Sequence, residues 1–137
     1  MDPDSQPDTL LQPGLHAEVQ ATVSENDTAA KRGSGLVPVY ATPALVALME
    51  HAAVRALEGR LPAGYTSVGG KIDLRHMAAT PVLMEVRARA ELLEVQGNRL
   101  LFHIQAWDEL EQIGEASHIR FVVNEAEFMK RVKAKVK

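Results

Sequence analysis

Residues 42–57, TPALVALMEHAAVRAL, have the spacing of a helix but are apolar over most of its circumference. Such a helix cannot rest on a surface by one stripe; other structure has to wrap it. Its start is marked by Thr42 at the cap and Pro43 at the first helical position. At about 100° per residue, His51, Arg55 and Glu58 share one polar stripe. Glu50 is off that stripe by roughly a quarter-turn, among Val46, Val54 and Leu57. A carboxylate leaving water for an apolar wall is costly unless it is paired or protonated, so Glu50 calls for a compensating group.

The material for the wrapping lies on both sides of this helix. Residues 14–24 alternate, with Leu15, Ala17, Val19, Ala21 and Val23 on one face, and read as a first strand. Residues 25–39 mix charge, Gly and Ser with little periodicity and read as a loop able to lie over a site. After 61–64 the period changes to two. Strands are expected at 67–76, 83–95, 99–107 and 112–123, separated by polar turns at 96–98 and 108–111. In 83–95, Met84, Val86, Ala88, Ala90 and Leu92 alternate with charged residues. A last helix is expected over 125–137, with a Lys/Arg cluster at its C-terminal end. Strand, long apolar helix, then an antiparallel run of strands is an α+β order, and one antiparallel sheet wrapped around one long central helix is the layout of the hot-dog fold.

At 137 residues this amounts to one domain, expected over 14–137 behind a flexible leader at 1–13 rich in Asp and Pro. The net charge of −3 provides no broad basic field, which argues against nucleic acid. The absence of Cys excludes disulfides, thiolate metal sites and a Cys nucleophile. The start of the chain lacks the basic and apolar segments of a signal peptide, and no apolar run reaches membrane-spanning length. A cytoplasmic protein with no membrane partner is expected. His16, His51 and His103 are scattered without ligand spacing, so no metal is expected.

The strand at 67–76 provides a candidate partner for Glu50. Strict alternation puts Val68, Gly70, Ile72, Leu74 and His76 on the face toward the helix, and Ser67, Lys71, Asp73 and Arg75 on the other. An imidazole and a carboxylate would then both project inward. They form either a buried ion pair or a carboxylate beside a satisfied core histidine, or a general acid and base whose pKa values are set by burial and mutual charge. Thr42 is either a plain N-cap or a hydroxyl at a helix start whose free N–H groups can polarise a carbonyl. Gly69 and Gly70, inside a strand, mark either a bulge or a close approach of ligand to backbone. His118 and Arg120 share a face with Ala116 and Val122 that is either a solvated edge or a substrate contact.

The stretches 39–57, 76–81 (HMAATP) and 113–120 (IGEASHIR) resemble the three motifs of the fluoroacetyl-CoA thioesterase-like group of hot-dog proteins. The similarity runs from about Gly14 into the last helix. It implies thioester hydrolysis, with Thr42, Glu50 and His76 at the catalytic positions and Gly69 and Arg120 at substrate-contacting ones. It implies no cofactor beyond coenzyme A as part of an acyl-CoA substrate, and a homodimer with sites at or near the subunit interface. One stretch departs from the pattern. The fluoroacetyl-specific enzyme has aromatic lid residues before its central helix, whereas residues 31–40 here contain no Phe and only Tyr40, with Leu36 as an apolar substitute.

The expected activity is therefore hydrolysis of a small acyl-CoA to free acid and CoA. Two other functions fit the same pocket: a non-catalytic acyl-CoA-binding module, and a hot-dog dehydratase acting on 3-hydroxyacyl thioesters.

Overall fold

The computed structural model describes residues 11–136. Most of the expected leader, residues 1–10, lies outside the described residues; Leu11, within it, is buried against the core. Five strands form one antiparallel sheet in the order β1-β3-β4-β5-β2: β1 (His16–Thr22), β2 (Tyr65–His76), β3 (Glu85–Gln96), β4 (Arg99–Trp107) and β5 (Gln112–Asn124). The central helix is α2 (Thr42–Ala56), preceded by a single turn, α1 (Ala29–Arg32), and α3 (Glu125–Lys133) follows β5. No helix among the described residues is long and apolar enough to cross a membrane. This is the expected hot-dog layout.

Period two determines which residues meet the helix. Val86, Ala88, Ala90 and Leu92 of β3 and Leu100, Phe102, Ile104 and Ala106 of β4 are all buried. Against them pack Leu45, Leu48, Met49, Ala52, Ala53 and Ala56 of α2. Alanines on both sides let helix and sheet approach closely, and the burial of the larger side chains supplies most of the driving force.

The wrapping covers less of the helix than its composition predicts. Val46 and Glu50 are half-buried, and Ala47, His51 and Val54 are exposed, Val54 to 44%. One apolar side of α2 therefore faces outward from the chain. The segment 25–39 is also more ordered than a plain loop. Thr28 caps α1 through the Lys31 amide, and bridges join Thr28 to Tyr40 and Val39 to Pro81.

Strict alternation fails in β2. The register runs Gly69↔Arg120 and then Lys71↔Ile119, so a bulge sits at Gly70. A bulge leaves one residue unpaired and swaps the faces of the strand on either side of it. Beyond it, Ile72, Leu74 and His76 pair with His118, Ala116 and Gly114 and face the helix as expected. Before it, the faces are reversed. Ser67 and Gly69, paired with Val122 and Arg120, are the inward residues, and Val68 pairs with Phe121 on the outer face. A side chain at Gly70 would run into the Phe121 ring.

Candidate active site

Helix α2 begins at Thr42 itself. Ala41 is the N-cap and makes no side-chain cap. Thr42 is thus released from the capping role its position suggested, and its Oγ1 lies 2.8 Å from His76 Nδ1. The end of β2 brings this imidazole to the start of α2. A recess of about 300 Å³ lined by Tyr40, Thr42, His76 and residues 77–79 opens onto the pair. Burial pushes the His76 pKa below its ordinary value, only partly offset by the Ala78 carbonyl, so the ring is neutral near pH 7. Its Nε2 is buried and has no hydrogen-bond partner among the described residues. A neutral imidazole with one nitrogen on a hydroxyl and the other unclaimed is equipped to move a proton.

Glu50 takes a different partner from the one its helix position suggested. Its Oε2 stands 3.7 Å from Arg120 Nη1, and its side chain is 40% exposed rather than fully buried. The compensating group is thus a guanidinium on β5, with water reaching the other side. Arg120 itself is 6% exposed, and burial lowers its pKa against the opposing pull of Glu50. Ser67 holds the guanidinium on one edge: Arg120 Nε donates to Ser67 Oγ at 2.9 Å and Nη2 donates to the Ser67 carbonyl at 3.1 Å. On the other edge, Nη1 lies 3.2 Å from His118 Nε2.

Gly69 leaves the space in which these groups meet. A Cβ built there would sit 2.8 Å from Glu50 Oε2, and 3.5 Å from both Arg120 Nη1 and His118 Cε1. The bulge that follows Gly69 is what turns this residue inward. The structure therefore brings the five expected site residues together as two groups, Thr42 with His76 and Glu50 with Gly69 and Arg120.

One participant escaped the sequence reading, and one open alternative is decided. Ser67 was assigned to the outer face because the alternation was counted through the bulge. The face carrying His118 and Arg120 is no solvated edge, since His118 is 1% exposed. The sequence signal was present: Ala116 and Val122 flank these two residues at period two, and β5 lies between β4 and β2. Among the described residues there is no cluster of three His, Cys, Asp or Glu able to hold a metal.

One antiparallel sheet wrapped around a central helix, shared with solved thioesterases, places the chain among the hot-dog thioesterases. Solved structures match it over nearly its whole length. A fluoroacetyl-CoA thioesterase structure is 32% identical, covering 93% of this chain and 98% of that one with a TM-score of 0.87. A thioesterase superfamily member from Thermus thermophilus is 27% identical, covering 98% and 97% with a TM-score of 0.81.

The chain belongs to the fluoroacetyl-CoA-specific thioesterase family, whose model matches residues 23–126. The fluoroacetyl-CoA thioesterase of Streptantibioticus cattleyicolor is 40% identical to it over 97 residues, which is 71% of this chain and 70% of that protein. The protein is accordingly a thioester hydrolase, an acyl-CoA thioesterase.

Proposed function

We propose that the enzyme hydrolyses a small acyl-CoA to free acid and CoA through Thr42, Glu50 and His76, with Gly69 and Arg120 contacting the substrate. The observation that carries this reading is the 2.8 Å contact of the Thr42 hydroxyl with a neutral His76 whose other nitrogen is unclaimed. Backbone N–H groups at the start of α2 or at Gly69, together with the Arg120 guanidinium, would polarise the thioester carbonyl. Glu50 would then act in one of two ways. As nucleophile it attacks the carbonyl carbon and expels CoA thiolate, which takes its proton from solvent; water that gives a proton to neutral His76 then opens the resulting anhydride. As general base it takes a proton from the water that attacks directly. The chemistry needs no cofactor, and its location is the cytoplasm, where acyl-CoA thioesters are made and used.

The acyl group in this reading is small but not fluoroacetyl-specific. The segment before α2 places no aromatic ring over the site apart from buried Tyr40, and Leu36 stands 96% exposed. A structure of a fluoroacetyl-CoA thioesterase variant with fluoroacetate and CoA, 32% identical and covering 86% of this chain, supports CoA as the thiol portion.

The working unit in this reading is a homodimer. Thr42 and Glu50 are separated by about 12 Å along the helix axis, and Gly69 and His76 by about 20 Å along β2. The two groups of one chain therefore lie apart. β2 is a sheet edge, and the uncovered side of α2 with Val46, Ala47 and Val54 lies nearby. Antiparallel pairing of two β2 edges about Ile72 and Asp73 would bring His76 of one protomer opposite Gly69 of its partner.

Single-turnover hydrolysis in 18O-water tests the chemistry. Label entering the Glu50 carboxylate supports the nucleophilic route, with water opening the anhydride at the Glu50 carbonyl carbon. Unchanged turnover of every acyl-CoA by both Glu50→Gln and His76→Ala would remove the site assignment.

A further inference from the structure

Arg120 can serve Glu50 and a substrate only if its guanidinium is held in one orientation, and Ser67 grips a single edge of it. The opposite edge rests on His118. This imidazole is 1% exposed, and its Nδ1 lies 2.7 Å from the Lys71 carbonyl oxygen, beside the β2 bulge. A carbonyl only accepts, so Nδ1 carries the proton and Nε2 presents a lone pair. Arg120 Nη1, which only donates, lies 3.2 Å from that lone pair and is also the nitrogen nearest Glu50. The two contacts define one tautomer without conflict. Phe102, its ring centroid 6.4 Å from that of His118, is fully buried on the same inner face.

We propose that His118 is a positioning residue: a neutral acceptor, locked by the Lys71 carbonyl, that aims the Arg120 guanidinium at Glu50 and at the space left by Gly69. This rests on the reading of Glu50 and Arg120 as parts of the site. A histidine that merely filled the core would need no charged partner. Here the lone pair is spent on the one guanidinium that faces the carboxylate, and the bulge carbonyl decides which nitrogen offers it. Loss of the acceptor frees the Nη1 edge to swing about Ser67. Burial also lowers the His118 pKa, which keeps the ring in the accepting form.

The test combines a double-mutant cycle with a direct reading of the tautomer. His118→Phe keeps the ring shape without an acceptor, and His118→Gln retains both a donor and an acceptor. His118→Phe is expected to lower kcat/KM about 10- to 100-fold, with His118→Gln within about threefold of the parent. In an Arg120→Met background, His118→Phe should cost less than about twofold more. Equal losses in the two backgrounds, or a Gln variant as poor as the Phe variant, would overturn the proposal. Should the Phe variant not fold, 15N spectra of the imidazoles in the unsubstituted enzyme decide. A protonated Nδ1 and a bare Nε2 that shifts on Arg120→Met are expected, and a protonated Nε2 overturns the role. Full activity in both Arg120→Met and Glu50→Gln sinks the site reading itself. Full activity of His118→Phe beside a crippled Arg120→Met sinks only the positioning role.

Discussion

Glu50 Oε2 occupies space that a side chain at Gly69 would claim: a Cβ there would come within 2.8 Å of it. The carboxylate on α2 and the missing side chain on β2 are therefore one feature. The glycine is needed for room, and the bulge beside it for direction.

Gly69→Ala should separate activity from stability. The atom it meets is the far end of a flexible, half-exposed side chain, so Glu50 can swing aside at little energetic cost. Alanine is also a better strand residue than glycine, by roughly 0.5–1 kcal/mol. Thermal unfolding should move by only a few degrees while thiol release falls at least about tenfold, as a displaced carboxylate loses its approach to the substrate. A large drop in melting temperature with normal turnover per folded molecule would contradict this account.

Gly114→Ala should do the reverse and act on the fold. Its Cβ would meet Leu45 Cδ2 at 2.9 Å and Met49 Cε at 3.1 Å, and both side chains are fully buried between α2 and the sheet. Overpacking of this kind costs about 1–3 kcal/mol. Urea denaturation should show the unfolding free energy lowered by that amount, as a shifted midpoint with an unchanged slope.

Stability should decline on mild acidification. Burial holds both His76 and His118 below the ordinary value of 6.5, so the unfolded chain binds more protons than the folded one just below that pH. Their contribution is complete above 6.5 and is lost as pH falls from there through the folded values. The carboxylates of Asp27 and Asp108, held below 3.8 by hydrogen bonds that outweigh their burial, are lost only in a separate, more acidic window. Chemical denaturation between pH 7.5 and 5 (about neutral to mildly acidic) measures this, and His118→Gln should flatten the slope. A protein that became more stable over the same interval would contradict the buried, neutral state of these rings.

The strands and the helix were legible because their periods, two and 3.6, are written in consecutive residues. β3 and β4 follow the alternation closely, and α2 begins within a residue of the Thr-Pro signal. What was not legible depends on contacts between distant segments. The bulge reversed the faces of β2 before Gly70, which hid Ser67 and turned Gly69 inward. The partner of Glu50 is on β5, seventy positions further along the chain, and no local pattern links a helix carboxylate to a strand guanidinium. Thr42 was recognisable as a helix-start residue, but only the fold shows that its hydroxyl reaches His76 instead of the backbone.

The composite site can be tested by mixing two inactive variants. If Thr42 and His76 of one protomer work with Glu50 of its partner, a dimer of one Thr42→Ala chain and one Glu50→Gln chain contains one doubly impaired site and one intact site. Random exchange of equal amounts gives half heterodimers, each with one of its two sites restored, so activity should recover to about a quarter of the unsubstituted enzyme. Sites complete within one chain give no recovery, because every chain in the mixture carries a lesion. The measurement is thiol release from acyl-CoA before and after subunit exchange, with exchange followed by mass spectrometry of differently tagged chains. Recovery that rises in step with heterodimer formation supports the composite site. Full exchange with no recovery would confine the reaction to residues of a single chain and overturn the composite site.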